Sequence, residues 1–252
     1  MEKLLEIKNL NVSYQTKKTE LKAVENLEFS VSKGEFVAII GRSGCGKTSI
    51  LSVIAGLLPY EGDIKLNGKK VLKPSANIGY MLQRDELFEW LTIEENVYLP
   101  LKLRRIKKDA AVKNNVERLI EKYGLKDFRK SFPSELSGGM RQRAALIRTL
   151  ACSPDVLLLD EPFSALDYQT RLNVCDDVYS IIKHEKKTAL LVTHDISEAI
   201  SVADRVIVLT ARPARVYTIN EIDIDKNLTP LKRRENPRFS AIFELLWREL
   251  NA

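Results

Sequence analysis

Gly41-Arg42-Ser43-Gly44-Cys45-Gly46-Lys47-Thr48 decides the reading of this chain. It fits the spacing G-x-x-x-x-G-K-[ST]. Glycines let the backbone turn tightly enough for successive N–H groups to point at one anion. In that geometry Lys47 reaches the β- and γ-phosphates of a nucleotide, and the Thr48 hydroxyl ligates Mg²⁺. The flanks supply the context the loop needs. Phe36-Val37-Ala38-Ile39-Ile40 is a continuous apolar run, the mark of a strand buried on both faces. Thr48 to Ala55 reads as a helix stopped by Gly56. Strand, glycine loop and helix in this order imply binding of a nucleoside triphosphate.

Around this centre the chain changes character twice. The first part reads as β-rich: Leu5, Ile7 and Val12 lie in a strand-like stretch, and Leu27, Phe29 and Val31 alternate before a Lys33-Gly34 turn. Gly62 to Gly68 reads as a short strand ending in an Asn-Gly turn, and Ile78 to Leu82 as another strand. The middle is helical. Thr92-Ile93-Glu94-Glu95 is a capping box. Asp109 caps a second helix, whose apolar face is Val112, Val116, Leu119, Ile120 and Tyr123 and whose end is Gly124. Met140 to Cys152 reads as a third. Strand–helix alternation then resumes with Val156–Asp160, a long helix, Ala189–Thr193 and Val206–Leu209, and Arg215 to Ile224 reads as extended. Phe239, Ile242, Phe243, Leu246, Trp247 and Leu250 form the apolar face of a last helix, expected to pack on its own domain. Pro230 to Pro237 reads as the loosest and most basic segment.

Composition bounds the class. The 252 residues are 44% hydrophobic and 29% charged, enough for a substantial core. No apolar run approaches the ~18 residues of a membrane span. The stretch from Met1 to Lys8 is too charged for a secretory signal, which points to the cytoplasm. Cys45, Cys152 and Cys175 are odd in number and widely spaced, so they read as buried thiols rather than disulfides or zinc ligands. The net charge of +6 makes a nucleic-acid partner conceivable. Yet the basic residues are scattered apart from Lys102–Lys108 and Lys232–Arg234, which suits a solvated surface facing anionic headgroups better.

Two further stretches carry chemistry. Val156-Leu157-Leu158-Leu159-Asp160-Glu161 is an apolar strand ending in two carboxylates. Asp160 can hold Mg²⁺, and Glu161 can orient and deprotonate an attacking water. Leu136-Ser137-Gly138-Gly139-Met140 places a hydroxyl and two glycines at a helix start, where free N–H groups and the helix dipole favour an anion. Two phosphate sites in one chain suggest two nucleotides, or a site completed by another copy.

With these motifs in this order the sequence resembles the ATP-binding cassette family, the ATPase subunits of ABC transporters, over nearly its whole length. Gly41 to Thr48 matches the Walker A loop, followed by Ser49, and Leu136 to Met140 the signature. Asp160 and Glu161 match Walker B and the catalytic glutamate, and Gln83 the glutamine that reaches Mg²⁺ and the attacking water. Ser164-Ala165-Leu166-Asp167 matches the loop that crosses between protomers, and His194 the switch histidine that contacts the γ-phosphate. Tyr14 stands where the family stacks an aromatic ring on adenine; its other reading is a strand-edge aromatic. His184 lies in a charged helix and reads as solvated. Met140 departs from the usual glutamine.

The resemblance implies an α/β P-loop NTPase (RecA-like) core with an antiparallel β subdomain and an inserted helical subdomain. The core is expected over about 1–83 and 153–252, and the helical part over 84–152. It implies an ATPase using ATP and Mg²⁺, working as a nucleotide-sandwich dimer of two copies. These would sit under membrane-spanning permease subunits at the cytoplasmic face of the membrane, served indirectly by an extracytoplasmic substrate-binding protein and without nucleic acid. Finer marks are Leu87-Phe88-Glu89-Trp90, Arg212-Pro213-Ala214-Arg215 and Pro237-Arg238-Phe239. They resemble the importers of nitrate, sulfonates, taurine and bicarbonate, which often carry proline where Glu89 stands. Leu87, Phe88 and Trp90 are expected on the surface that receives the permease. The alternative is a soluble ABC ATPase acting on nucleic acid or ribosomes.

Overall fold

The computed structural model describes residues 2–15, 19–107 and 109–252; Met1 and Lys108, which bound two of the stretches read above, lie outside them. Strands β1 (Lys3–Gln15) and β2 (Glu20–Ser32) pair antiparallel. Leu5 and Ile7 point into the core, and so do Leu10 and Val12, although strict alternation would turn these two outward. The register shifts between Ile7 and Leu10, and Asn9 sits at a φ of 49°. This bulge resets the parity of the strand, so both apolar pairs reach the same side.

Strand β3 (Phe36–Ile40) is buried at all five positions. Phe36, Ala38 and Ile40 face one core, and Val37 and Ile39 the other. The phosphate loop then leads into α1 (Lys47–Ile54), and Gly56 turns the chain out at a φ of 74°. Asn67 and Gly68, both at positive φ, join β4 (Glu61–Leu66) to β5 (Lys69–Lys70) in a tight hairpin. Strand β6 (Ile78–Met81) ends one residue earlier than its apolar run, and Leu82 is exposed.

Three helices follow. Helix α2 (Ile93–Leu103) opens on the Thr92–Glu95 capping box, and α3 (Ala110–Lys122) on Asp109, whose side chain accepts from Val112 N. Helix α4 (Gly138–Leu150) starts two residues before Met140, because Ser137 is its cap and the glycines form its first turn. It packs against α2, α3 and β6.

The rest alternates: β7 (Val156–Asp160), α5 (Tyr168–His184), β8 (Thr188–Thr193), α6 (Ile196–Val202), β9 (Arg205–Leu209), β10 (Val216–Glu221), α7 (Pro230–Arg234) and α8 (Arg238–Asn251). One sheet runs β10-β9-β3-β8-β7-β6, parallel except for the edge strand β10. The other, β2-β1-β4-β5, is antiparallel. One apolar cluster lies between the parallel sheet and α2–α6 with α8; the second lies between its other face, α1 and the antiparallel sheet.

Two expectations are corrected. The segment from Pro230 to Pro237 is not loose. It holds α7, and Arg233 is fully buried with Nη2 donating to the Ala203 carbonyl at 2.7 Å. Leu87 is not part of an exposed surface: it is 6% exposed and belongs to the core, while Phe88 and Trp90 stay out. Of the last helix's apolar face, Leu246 is buried and Phe239, Ile242, Phe243 and Leu250 pack partly on the core, whereas Trp247 is exposed. Cys45 and Cys175 are buried and His184 is exposed, as expected, but Cys152 is only half-buried.

Register explains where function gathers. Ile40 pairs with Thr193, Asp160 with Val192, and Met81 with Leu159. The carboxyl ends of four parallel strands are therefore level. The residues that follow them are Gly41, His194, Glu161 and, after Leu82, Gln83. Open α/β sheets bind ligands at this edge.

Candidate active site

The phosphate loop is shaped by two close approaches. A Cβ on Gly41 would lie 2.7 Å from Cys45 Sγ, and one on Gly46 would lie 2.8 Å from the Ala23 carbonyl oxygen. Gly46 also takes a φ of 125°, open to glycine alone in practice. Gly46 is the cap residue of α1 and offers no side chain, so the first N–H groups of that helix are left for something else.

Lys47 turns back over the loop. Its Nζ donates to Gly41 O at 2.8 Å and Arg42 O at 3.2 Å, and stands 3.8 Å from Glu161 Oε1. The side chain is 5% exposed, so these partners are what make a buried ammonium tolerable. Thr48 Oγ1 donates to Asp160 Oδ1 at 3.2 Å, and the Tyr80 hydroxyl donates to Asp160 Oδ2 at 3.2 Å. Burial pushes the Asp160 carboxyl above its ordinary range, and these two hydrogen bonds oppose the shift. Burial also raises the Tyr80 phenol, which keeps it a donor.

Glu161 follows β7 with a φ of 44°, an uncommon conformation for a residue with a side chain. Its N–H donates to Val192 O at 2.9 Å. His194 Nδ1 lies 2.9 Å from Glu161 Oε2 and donates to that carboxylate. The residues on either side of His194 are tied down. Thr193 Oγ1 donates to the buried Glu198 carboxylate at 2.7 Å, and Asp195 N donates to Thr193 Oγ1 at 3.0 Å. Gln83 Nε2 donates to Ser164 Oγ at 3.2 Å, and that hydroxyl donates to Glu161 O at 2.9 Å.

These groups surround a cavity of about 290 Å³ lined by Ser43, Gly44, Gly46 to Ser49, Gln83, Asp160, Glu161 and Arg212. The Tyr14 hydroxyl is 2.8 Å from Ser49 Oγ, which ties the antiparallel sheet to its rim. A larger cavity, about 790 Å³, opens at the opposite edge of the sheet beside Lys33, Asp204 and Lys226. None of the motif residues lines it.

Not every expected residue joins the cavity. Tyr14, Gly41, Arg42, Cys45, Ser137, Gly138, Gly139, Asp167 and His194 lie outside its lining, His194 bonding the lining residue Glu161 and Tyr14 the lining residue Ser49. Ser137 accepts from Met140 N at 3.4 Å, and Asp167 caps α5 by accepting from Thr170 N at 3.1 Å. Conversely, sequence reading missed two residues. Arg212 donates from Nε to Gly44 O at 3.1 Å, and Tyr80 holds Asp160. Arg212 had a signal in its arginine-proline motif; Tyr80 had only its place on a strand that ends near Gln83.

A glycine loop, a buried lysine and a carboxylate pair around one cavity make sense together only for the triphosphate of a nucleotide. Fold and site define a P-loop NTPase. Comparison with known proteins narrows this. Residues 24–164 match the family described as ABC transporter. The "uncharacterized ABC transporter ATP-binding protein YtlC" of Bacillus subtilis (strain 168) is 44% identical, covering 98% of this chain and 96% of YtlC. The aliphatic sulfonates import ATP-binding protein SsuB of the same strain is 43% identical, covering 87% of this chain and 83% of SsuB. Among solved structures, the dimeric post-hydrolysis ATP-binding cassette MJ0796, bound to ADP and Pi, has a TM-score of 0.74 and 28% identity over 88% of this chain and 100% of that one. The chain belongs to the ABC transporter family, as its ATPase. Among the described residues no helix is long and apolar enough to cross a membrane.

Proposed function

We propose that this chain drives an importer. Two copies would work beneath membrane-spanning permease subunits, at the cytoplasmic face, to take up a sulfonate-type or related small solute delivered by a binding protein. The hydrolytic part rests on one observation: Glu161 is gripped between Lys47 at 3.8 Å and His194 at 2.9 Å at the mouth of the phosphate cavity. A carboxylate aimed there and steadied by a histidine suits a general base for water.

The residues divide the work as follows. Loop N–H groups and the N-terminus of α1 receive the triphosphate. Lys47 exchanges the carbonyls of Gly41 and Arg42 for phosphate oxygens, which are charged and stronger acceptors. Arg42, Ser43 and Cys45 shape the loop, Ser49 extends it, and Tyr14 stacks on the adenine. Glu161 takes the proton of the attacking water, Gln83 orients that water, and His194 holds Glu161 and meets the γ-phosphate. Thr48, Asp160 and Gln83 fit Mg²⁺: all offer hard oxygen donors, and Thr48 Oγ1 already lies 3.2 Å from Asp160 Oδ1 at the cavity. A bound Mg²⁺ would supply charge neutralisation at the phosphates.

Ser137, Gly138, Gly139 and Asp167 act on the second copy's nucleotide. The exposure of Ser137, Gly138 and Asp167 outside the cavity favours this, and so does the dimeric form of MJ0796. Residues 84–152 serve as a helical subdomain that carries this surface. Phe88 and Trp90, exposed and in edge contact at 5.0 Å, meet the permease. The solute class leans on SsuB.

The test is ATP hydrolysis by the assembled transporter. An alkanesulfonate with its binding protein should stimulate it several-fold. Stimulation by nitrate or bicarbonate instead would move the solute within the subfamily; none by any of these anions would overturn the class.

A further inference from the structure

The segment that carries His194 is closed on itself. Thr193 Oγ1 donates to Glu198 Oε2 at 2.7 Å, Asp195 N donates to Thr193 Oγ1 at 3.0 Å, and Glu198 N donates to Asp195 Oδ1 at 3.1 Å. This ring of hydrogen bonds fixes the shape of residues 193–198. It does not fix where the segment sits relative to Glu161, which follows the neighbouring strand β7. Strand β8 holds one side, through the pairing of Thr193 with Ile40. The other side needs a fastening from outside the segment.

Arg171, one turn into α5, supplies it. Its guanidinium has three nitrogens and gives each a different partner. Nη2 donates to Leu166 O at 3.0 Å, Nη1 stands 3.7 Å from Asp195 Oδ2, and Nε stands 3.9 Å from Glu198 Oε1. The Leu166 carbonyl, just ahead of α5, orients the planar fork; the two carboxylates that follow His194 receive its charge. Glu198 is 4% exposed, and Arg171 Nε is buried without a hydrogen-bond partner. Charges so poorly hydrated attract one another more strongly than charges on an open surface. Burial pushes the Glu198 carboxyl up, and the Thr193 hydroxyl and the Arg171 guanidinium draw it back. A point charge would balance Glu198 as well, but it could not hold three directions at once.

From this geometry we infer that Arg171 is a positioning residue for ATP hydrolysis: it fastens the 193–198 segment to α5 and so sets His194 at its 2.9 Å contact with Glu161. The inference rests on the role of His194 proposed above. It does not make Arg171 a ligand of the nucleotide, since Arg171 lies outside the lining of the phosphate cavity.

The experiment measures ATPase activity, ATP affinity and melting temperature in Arg171→Lys, His194→Ala and the double variant. Lysine keeps the charge opposite buried Glu198 and loses the fork. The melting temperature should stay near wild type, and KM and ATP affinity should stay within about twofold, because the contacts to nucleotide are untouched. kcat should fall on the order of tenfold to a hundredfold, the loss that a slight misplacement of a reacting group brings. In the His194→Ala background the same change should cost about twofold or less, because the group it places is gone. Arg171→Met with Glu198→Gln removes both buried charges together and should show the same fall in kcat in a folded protein. Wild-type kcat in Arg171→Lys would overturn the inference. So would a loss that multiplies in full with that of His194→Ala, or one that appears in KM and melting temperature instead of kcat. Full turnover in His194→Ala would overturn the proposed role of His194 and this inference with it; the other adverse outcomes leave that role standing.

Discussion

Helices α1 and α4 both start at glycines, Gly46 as the cap of α1 and Gly138 as the first residue of α4, yet their surroundings are opposite. At α1 the cap residue, Gly46, makes no side-chain bond, and Lys47, Thr48, Asp160 and Glu161 converge on the space in front. At α4 the Ser137 hydroxyl already accepts from Met140 N, and none of those groups faces it. Gly138 and Gly139 serve packing as much as any ligand: Cβ atoms there would lie 3.1 Å from Leu166 Cδ2 and 2.9 Å from Val174 Cγ2. The first site is furnished by one chain; under the proposed function, the second is completed by another copy. Mutations should therefore act within one subunit at the first and across subunits at the second.

The largest effect is expected at Lys47. Lys47→Ala removes the one cation buried under the loop and should abolish hydrolysis with most of the ATP affinity, measured by nucleotide titration and phosphate release. The variant also removes the ammonium that stands 3.8 Å from Glu161 Oε1. Wild-type affinity and turnover in a folded Lys47→Ala protein would break the claim that this site is self-contained.

Glu161→Gln comes next. The amide keeps the shape and the His194 contact but accepts no proton. Hydrolysis should fall by ~10²–10⁴ while ATP still binds. If α4 completes the partner's site, the blocked enzyme should accumulate as an ATP-bound dimer in size-exclusion chromatography. Continued hydrolysis by a species that stays monomeric would sink both roles.

What the sequence disclosed follows the same division. The loop, its strand and its helix were legible because one short segment carries the whole geometry. Asp160, Glu161 and His194 were legible because each directly follows or ends a run of buried residues. The helix starts at Thr92 and Asp109 were legible from local capping chemistry. Arg212 and Tyr80 were not assigned to the site, because their partners, Gly44 and Asp160, lie 168 and 80 residues away in the chain. The buried Arg233 was misread for a related reason. A run of Lys232, Arg233 and Arg234 looks solvated until tertiary contacts bury its middle member against Ala203. Leu87 and Trp90, three residues apart in one apolar cluster of sequence, part company for the same cause: one fills the core and the other does not.

Trp90 gives a smaller, conditional effect. Its side chain is 72% exposed, so Trp90→Ala should leave the melting temperature and basal ATPase of the isolated subunit nearly unchanged. ATPase stimulated by the assembled permease complex should be lost, as expected for an aromatic anchor at a protein interface. A loss of ~3–5 kcal/mol in the isolated subunit, the cost of truncating a core aromatic, would show that Trp90 is packing and not docking.

The smallest effect is expected at Met140, where the family usually has glutamine. Its contribution to the α4 cap is the backbone N–H, which bonds Ser137 Oγ at 3.4 Å and is untouched by a change of side chain. The thioether is half-buried and packs on the core beside α4. Met140→Gln keeps the unbranched shape and gives up some apolar contact, a cost of about 1 kcal/mol. Turnover should then change by no more than a few-fold, because the Ser137 hydroxyl and the glycine N–H groups remain. A gain on the order of a hundredfold would match the restoration of a whole preorganised donor. That result would mean that α4 lacks a ligand-binding group in this chain, and that its difference from α1 lies in Met140 rather than in the absence of a second copy.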